Sequence, residues 1–455
     1  MDILKQFVTP SILVIMEKAE KVIDNFLNKY GMHPDAVDLD GTVSYIIEEM
    51  KNGLAGEKSS LAMIPTYIEV DAEIKEGEKV VVLDAGGTNL RAAKVFFSSD
   101  GKPVIEDFSK QPMPGTDGNE VSADDFFSSL ANLVKPLITG KDKIKKIGFC
   151  FSYPTEIFPD KDGQLIHWTK EVKAPEVVGK KLGENLKKSL KDTGVSNPPE
   201  VILLNDTVAT LLTGKISQKG RKWGGYSAII LGTGTNTCYV ESNKEIGKAK
   251  DLDPSGSQVI NCETGSLTLP CRGRADELLG LETENPDAYW LEKMLSGRYF
   301  GLLTTKTVQL AVEDNIFSDK AAEFLKSFDK ISTKDADNFV HNPVNGSSEL
   351  TGINKYGIPL DAEYLWHIID KLLERAAKLT AANLAATILK GKTEDGPLNP
   401  ACLTIDGTTY YRYYRFSYRV DSYLHSYLQR RDKFYEFIKV EDAPLIGAAV
   451  AALTN

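Results

Sequence analysis

The sequence contains little that would indicate a secreted, metal-binding or membrane protein. Five cysteines and five histidines are scattered through 455 residues, without a C-x-x-C pair and without metal-ligand spacing. No segment reaches the ~18 consecutive apolar residues that a membrane helix needs. We therefore expect no disulfide framework, no zinc site and no membrane partner, and we expect a soluble protein of the reducing cytoplasm.

A basic surface is also missing. Lys and Arg number 54 against 64 for Asp and Glu, and the formal net charge is −10. Because nucleic-acid binding normally uses a broad basic surface, we expect neither DNA nor RNA as a partner. The chain is 42% hydrophobic and 26% charged, which is typical of a folded globular protein. At ~150 residues per domain its length would allow three domains, although two larger lobes are also possible.

The order of the predicted elements indicates the α/β class. Residues 1–60 have helical periodicity, and the apolar stretch 7–16 predicts an amphipathic first helix rather than a signal peptide. A long amphipathic helix is predicted at 364–389. Strands are predicted by short apolar runs at 80–83, 90–97, 146–151, 201–204 and 227–231. Strands that alternate with helices predict a mixed or parallel sheet covered by helices, while the polar stretch 315–360 fits no element.

Two segments share one pattern, in which an apolar strand runs into glycines, a threonine and an asparagine. They are VVVLDAGGTN at 80–89 and SAIILGTGTN at 227–236. Each predicts a strand–turn–strand unit, and their domain-sized separation suggests two lobes. Glycines let backbone N–H groups approach phosphate oxygens, and Asp84 could orient a hydrated cation. One such turn alone would more often be a plain hairpin, but two could hold one polyphosphate from both sides.

Three carboxylates are candidates for chemistry on a neutral substrate that carries many hydroxyl groups. Asp206 follows the apolar run 201–204 and could accept a proton from a substrate hydroxyl. By itself, an Asn-Asp-Thr sequence is more often a helix N-cap. Glu263 and Glu292 could hold vicinal hydroxyls, although each alone would more often be a surface charge.

Together these motifs resemble the hexokinases, the ATP-dependent sugar kinases of the actin-like ATPase superfamily, nearly from end to end. The segments that carry the resemblance are 59–67, 83–91, 148–154 with 168–170, 204–207, 231–239, 263, 285–297, 375–386 and 405–410. The resemblance implies a two-lobed actin-like ATPase (ribonuclease H-like) α/β fold with a cleft between a small and a large domain. The small domain would comprise 68–205 plus 440–455, and the large domain 1–67 plus 206–439.

The resemblance also implies a reaction. A hexokinase transfers the γ-phosphoryl group of MgATP to the 6-hydroxyl of a hexose, here with D-glucose as the leading candidate, giving hexose 6-phosphate and ADP at the start of glycolysis. The catalytic residues would be Asp206 as the base, Lys170 near the reacting oxygen and Arg91 as a source of positive charge. The sugar would be bound by Ser152, Thr169, Lys170, Asn205, Asp206, Asn236, Glu263 and Glu292. MgATP would be held by Asp84, Gly86, Gly87, Thr88, Asn89, Arg91, Thr233, Gly234, Gly407 and Thr408, with Asp84 orienting Mg²⁺ through water.

Sugar ligands on both lobes predict that sugar binding closes the cleft. One departure from the family pattern lies near the C-terminus, where 443–449 lacks the Gly-Ser-Gly that commonly precedes Gly-Ala-Ala. Two other functions stay open, a catalytically weak hexose-binding sensor and a sugar-independent ATPase of the same superfamily. The sequence fixes neither the preferred hexose nor the oligomeric state.

Overall fold

A computed structural model describes residues 10–70, 72–168, 172–218, 220–394 and 396–455. The strands are β1 (Ile64–Pro65), β2 (Val80–Ala85), β3 (Asn89–Phe97), β4 (Pro103–Pro112), β5 (Lys146–Phe151), β6 (Thr155–Ile157), β7 (Gly163–Leu165), β8 (Glu200–Leu204), β9 (Gly225–Leu231), β10 (Thr235–Ser242), β11 (Ser257–Asn261), β12 (Ala401–Asp406) and β13 (Tyr435–Ile438). The helices are α1 (Pro10–Lys29), α2 (Leu39–Ala55), α3 (Ala123–Ile138), α4 (Leu182–Asp192), α5 (Asp206–Ile216), α6 (Arg274–Leu281), α7 (Trp290–Leu295), α8 (Phe300–Glu313), α9 (Asp319–Lys326), α10 (Thr333–His341), α11 (Ile353–Tyr356), α12 (Pro359–Lys390), α13 (Thr408–Arg412), α14 (Phe416–Gln429) and α15 (Ala443–Thr454).

The first sheet has five strands in the order β4-β3-β2-β5-β8. β2, β5 and β8 are parallel, whereas β3 and β4 continue the sheet antiparallel. Side chains of β2 alternate between two cores: Val81 and Leu83 pack towards α3 and α4, and Val80 and Val82 pack towards α5 and α15. Burial on both faces explains why β2 is a continuous apolar run rather than an alternating one.

The second sheet has six strands in the order β1-β11-β10-β9-β12-β13. β9 and β10 form an antiparallel hairpin, and β12 lies parallel to β9. The long helix α12 packs against this sheet and against α2 and α14. It begins at Pro359, whose fixed φ suits the first helical turn, and the Asp361 carboxylate accepts a 2.7 Å hydrogen bond from the Ile358 N–H.

Helices α5 and α15 pack tightly against each other and join the two sheets. At Gly447 of α15 an added Cβ would lie 1.9 Å from the Ala209 carbonyl oxygen of α5. At Gly148 of β5 it would lie 2.1 Å from the Ala448 carbonyl oxygen. Only glycine allows the backbones to approach so closely. The first turn of α5 is thereby held against α15, and α15 against β5.

The predicted α/β class is confirmed, and each predicted strand and the long helix are present with the same or slightly wider bounds. Residues 1–9, which include part of the predicted first helix, lie outside the described residues. The polar stretch 315–360 holds α9, α10, α11, a 3-10 turn at Glu349–Gly352 and the start of α12. Within the described ranges, no helix has the length and apolarity that crossing a bilayer requires.

Candidate active site

The turn between β2 and β3 forms the wall of a cavity. The Gly86 N–H donates to the Asn89 carbonyl oxygen at 3.0 Å and closes the turn. The cavity measures about 290 Å³, and its lining residues are Asp84, Gly86, Gly87, Thr88, Asn89, Arg91 and Lys110. It therefore combines glycine backbone, hydroxyl and amide groups with two cations, which suits an anion.

Asp84 and Arg91 form the fixed part of this cavity. The Asp84 side chain is 2% exposed, and its Oδ2 accepts from Arg91 Nε at 2.7 Å and lies 2.5 Å from Arg91 Nη2. Burial raises the pKa of Asp84, the Arg91 charge lowers it, and the Asp206 charge raises it again. Because Asp84 also lines the cavity, its buried carboxylate is oriented by Arg91 towards whatever the cavity binds.

Lys110 lies on β4 directly opposite Arg91 of β3. Two like charges facing each other across strands are unfavourable unless an anion lies between them or nearby. Lys110 is exposed, and both side chains line the cavity. Asp84 already offsets the Arg91 charge, so the positive charge that the pair adds to the cavity wall comes mainly from Lys110.

The turn between β9 and β10 is held by the protein itself. The Gly232 carbonyl oxygen accepts from Thr409 Oγ1 and from the Gly297 N–H, both at 2.8 Å. The Thr235 N–H donates to Glu292 Oε2 at 3.2 Å. An added Cβ at Gly234 would lie 2.5 Å from that same oxygen. The glycine therefore leaves room for the Glu292 carboxylate.

A chain of amide side chains leads from α5 to Glu263. Asn205 caps α5, accepting from the Thr207 N–H at 2.8 Å, and its Oδ1 lies 3.5 Å from Asn236 Nδ2. Asn236 Nδ2 donates to Asn261 Oδ1 at 2.7 Å. Asn261 Nδ2 donates to Glu263 Oε1 at 2.9 Å. These side chains of Asn205, Asn236, Asn261 and Glu263 form one continuous hydrogen-bonded set, which is called the amide wall below.

Glu263 has an unusual backbone and an unusual carboxyl group. Its φ is 56°, a left-handed conformation that is uncommon for a non-glycine residue. Burial raises its pKa to about 7; the Asn261 hydrogen bond lowers it, and the charges of Asp206 and Glu292 raise it. A carboxyl group with such a pKa changes its charge near neutral pH.

Asp206 lies where the two sheets meet. It is the first residue of α5, directly after the Asn205 cap, and it is half-buried. Its charge raises the pKa of Asp84 on the first sheet, and of Glu263 and Asp406 next to the second sheet. Carboxylates from both sheets therefore converge on Asp206, which can accept a proton from a group bound between them.

Comparison with known proteins decides the family. Two models of the family described as hexokinase match residues 23–216 and 226–454. Hexokinase-5 of Oryza sativa subsp. japonica is 30% identical in an alignment of 445 positions that covers 92% of this chain and 86% of that protein. The chain belongs to the hexokinase family. Hexokinase-1 of Nicotiana tabacum is 31% identical in a gapped alignment of 468 positions that covers 96% of this chain and 91% of that protein.

Solved structures agree with the hexokinase fold. A Schistosoma mansoni hexokinase complexed with glucose has a TM-score of 0.76 at 23% identity, covering 97% of this chain and 100% of its own. The crystal structure of another hexokinase has a TM-score of 0.74 at 22% identity, covering 97% and 99%. The predicted two-lobed actin-like ATPase fold is confirmed, and family membership makes the chain a sugar kinase with ATP as co-substrate.

Most of the residues expected from the hexokinase resemblance meet at this site. The Ser152 N–H donates to the Ala85 carbonyl oxygen at 3.2 Å, which puts Ser152 beside the first turn. Gly407 has a φ of 114° and packs against the second turn, where an added Cβ would lie 2.2 Å from the Leu231 carbonyl oxygen. Thr408 follows as the first residue of α13. Thr169 and Lys170 lie outside the described residues.

Three residues near the hexokinase site were not predicted from the sequence. Lys110 and Asn261 occupy the places given above, and Tyr289 lies directly before α7 with a φ of 57°. Burial raises the pKa of Tyr289, and the charges of Glu263 and Glu292 raise it further, so its phenol is near both carboxylates. The two glutamates are half-buried rather than the surface charges that each alone suggested.

Proposed function

We propose that this kinase transfers the γ-phosphoryl group of MgATP to the 6-hydroxyl of a hexose, with D-glucose the leading candidate, giving hexose 6-phosphate and ADP at the start of glycolysis. The observation that carries the proposal is the position of Asp206. It is close enough to Asp84 of the anion cavity and to Glu263 of the amide wall to raise the pKa of both. A base at that position can reach a hydroxyl held by the wall and aligned with a phosphate in the cavity.

In this proposal Asp206 accepts the hydroxyl proton as the oxygen attacks phosphorus. The leaving oxygen stays on ADP, and the proton ends on the Asp206 carboxylate. Phosphoryl transfer depends mainly on positioning and on stabilising charge, so the other groups hold and orient the substrates. Asn205 contributes by fixing the start of α5, since its side chain caps that helix at the Thr207 N–H.

The sugar would lie against the amide wall and the two glutamates. Hydroxyl groups need both donors and acceptors, and this region combines the amides of Asn236 and Asn261 with the carboxylates of Glu263 and Glu292. Ser152, Thr169 and Lys170 would complete the sugar site, with Lys170 near the reacting oxygen. The acidic lining supports a neutral polyhydroxylated substrate rather than an anionic one.

The nucleotide phosphates would occupy the cavity beside the first turn. Gly86, Gly87, Thr88 and Asn89 line it together with the charges of Arg91 and Lys110. The N–H groups of Gly87 and Thr88 would donate to phosphate oxygens, since the Gly86 N–H already donates to Asn89. Thr233 and Gly234 would contact the phosphates from the second turn, and Gly407 and Thr408 would border the nucleoside.

The Asp84 carboxylate fits a magnesium ion that arrives with the nucleotide. Mg²⁺ keeps several waters and takes one or two carboxylates plus phosphate oxygens, so one buried carboxylate facing a phosphate cavity is sufficient. In the described part of the chain, no three His, Cys, Asp or Glu side chains form a group that could hold a metal ion. When bound, the ion neutralises charge on the phosphate oxygens. Asp84 would hold it through water.

The thiols support a reducing compartment. Cys150, Cys238, Cys262, Cys271 and Cys402 are all unpaired. Disulfides are rare in the cytosol, and we propose that the reaction takes place there.

The proposal is tested by an ATP-consumption assay with D-glucose, D-mannose, D-fructose and no sugar. We expect ADP release that requires a hexose and saturates with it. Release at the same rate without sugar would indicate a sugar-independent ATPase. Sugar binding without any turnover would indicate a hexose sensor, and either result would overturn the proposal.

A further inference from the structure

Arg91 is contacted by carboxylates from two sides, and the two contacts differ. Asp84 lies beneath it with its side chain 2% exposed, within hydrogen-bond distance of Nε and Nη2. On the solvent side, Asp442 Oδ1 lies 3.8 Å from Nη1, and the Asp442 side chain is 55% exposed. The first contact is a buried hydrogen-bonded pair that holds the guanidinium in place. The second is a longer, solvated ion pair that a competing anion can displace.

The backbone around Asp442 explains why its carboxylate faces Arg91. Asp442 is the N-cap of α15, yet its side chain accepts no capping hydrogen bond. An N-cap carboxylate normally accepts from the N–H groups two or three residues on, but the first of these positions is Pro444, which has no N–H. The residue also has a φ of 51°, in the left-handed region. The side chain is thus released from the helix and available to the arginine.

We propose that Asp442 is a positioning residue that competes with the nucleotide's phosphates for Arg91. Arg91 lines the anion cavity, so a phosphate that binds there must take over the guanidinium edge that Asp442 now faces. The Asp442–Arg91 ion pair would therefore weaken nucleotide binding, and the effect would grow with the fraction of molecules in which the pair is formed. This inference rests on the proposed phosphate site.

The neighbouring residue offers a matched control. Glu441 lies in the same exposed loop, but its Oε1 is 3.1 Å from Lys439 Nζ. Asp442→Asn and Glu441→Gln each remove one negative charge at adjacent positions, and both keep the size of the side chain. Asparagine also tolerates a left-handed backbone, so Asp442→Asn should fold like the original chain. Only one of the two substitutions frees Arg91.

The test is isothermal titration of the full-length wild type and both variants with MgADP and, separately, with inorganic tripolyphosphate. At low salt we expect Asp442→Asn to bind both ligands about two- to fivefold more tightly, the range of an exposed ion pair. We expect a smaller change for Glu441→Gln. The gain should shrink as salt screens the pair, and the KM for the hexose should stay the same.

Equal gains in the two variants would overturn the inference, because they would reflect net charge alone. Weaker binding by Asp442→Asn would overturn it as well, since Asp442 would then support the phosphate site rather than compete with it. If the wild type bound neither ligand, the phosphate site itself would be wrong, and the inference would fall with it.

Discussion

The two glycine turns of this hexokinase share a sequence pattern but differ in what surrounds them. The first, between β2 and β3, follows a buried Asp84 and faces Arg91 and Lys110 across a cavity. The second, between β9 and β10, has a leucine where the first has its aspartate. Its contacts are protein groups, namely Thr409, Gly297 and Glu292.

The difference shows that one backbone motif serves two purposes. The first turn lines a cavity that also holds two cations, which suits the phosphates, while its Gly86 carbonyl oxygen accepts from the Tyr153 hydroxyl. In the second turn, the Gly232 carbonyl oxygen accepts hydrogen bonds from Thr409 and Gly297. Thr235 and Asn236, which follow, contact the side chains of Glu292 and Asn261 in the proposed sugar site. We infer that the first turn is mainly a phosphate element and the second mainly a sugar element.

The largest effect is expected at Asp206, which lies between the turns and belongs to neither. Asp206→Asn keeps the shape of the side chain and the start of α5 but removes the base. We expect kcat to fall on the order of 10²-fold or more, since general-base catalysis contributes at least that much. Steady-state kinetics with saturating hexose and MgATP measure it. Undiminished turnover would mean that another group takes the proton.

Two glycine variants test whether the first turn mainly binds phosphate and the second turn mainly supports sugar binding. An added Cβ at Gly86 would meet only the Asn89 carbonyl oxygen at 3.6 Å, an ordinary contact, so Gly86→Ala should fold and crowd the phosphate cavity. An added Cβ at Gly234 would displace the Glu292 carboxylate. We expect Gly86→Ala to raise the KM for MgATP about tenfold and to leave the hexose KM unchanged. Gly234→Ala should raise the hexose KM about tenfold or more, in addition to any loss of its own phosphate contact. A Gly234→Ala enzyme with an unaltered hexose KM would refute the inferred role of the second turn in sugar binding.

The carboxyl group of Glu263 allows the proposed sugar site to be tested by changing the pH. Its pKa is raised to about 7, so it holds a proton below neutral pH and is ionised above it. An ionised carboxylate accepts stronger hydrogen bonds from sugar hydroxyls. We expect the hexose KM to rise up to about tenfold from pH 8 to pH 6, because the ionised fraction falls from about nine-tenths to about one-tenth. Glu263→Gln should remove this pH dependence of the hexose KM. If the variant kept the same pH profile, the dependence would come from another group.

The smallest expected effect is on shape. We propose that the small domain, 68–205 plus 440–455, moves towards the large domain, 1–67 plus 206–439, when sugar binds to both. Small-angle scattering should show a lower radius of gyration at saturating hexose. The same profile with and without sugar would count against closure.

Much of the fold could be predicted from the sequence because its signals are local. The run 80–83 and the Gly-Gly turn that follows it predicted the first hairpin, and the amphipathic pattern at 364–389 predicted α12. β4 escaped prediction because it is an edge strand with little burial and proline at both ends. In 315–360, α9 and α10 have only 8 and 9 residues, too few for a clear helical period.

Site residues that belong to a sequence motif could be predicted. Site residues that are identified only by their contacts in the folded structure could not. Asn205 and Asp206 satisfy both alternatives that the sequence left open, because the asparagine caps α5 while the aspartate faces the site. Lys110 could be found only from the strand register that sets it opposite Arg91. Asn261 has no motif of its own, since its role comes from hydrogen bonds to Asn236 and Glu263.

The most direct test of the account is phosphorus NMR of the product made from D-glucose and MgATP. We predict one phosphomonoester whose phosphorus couples to the two protons of the sugar's sixth carbon, formed by the wild type and at most in traces by Asp206→Asn. An ester at another carbon, or inorganic phosphate alone, would contradict it.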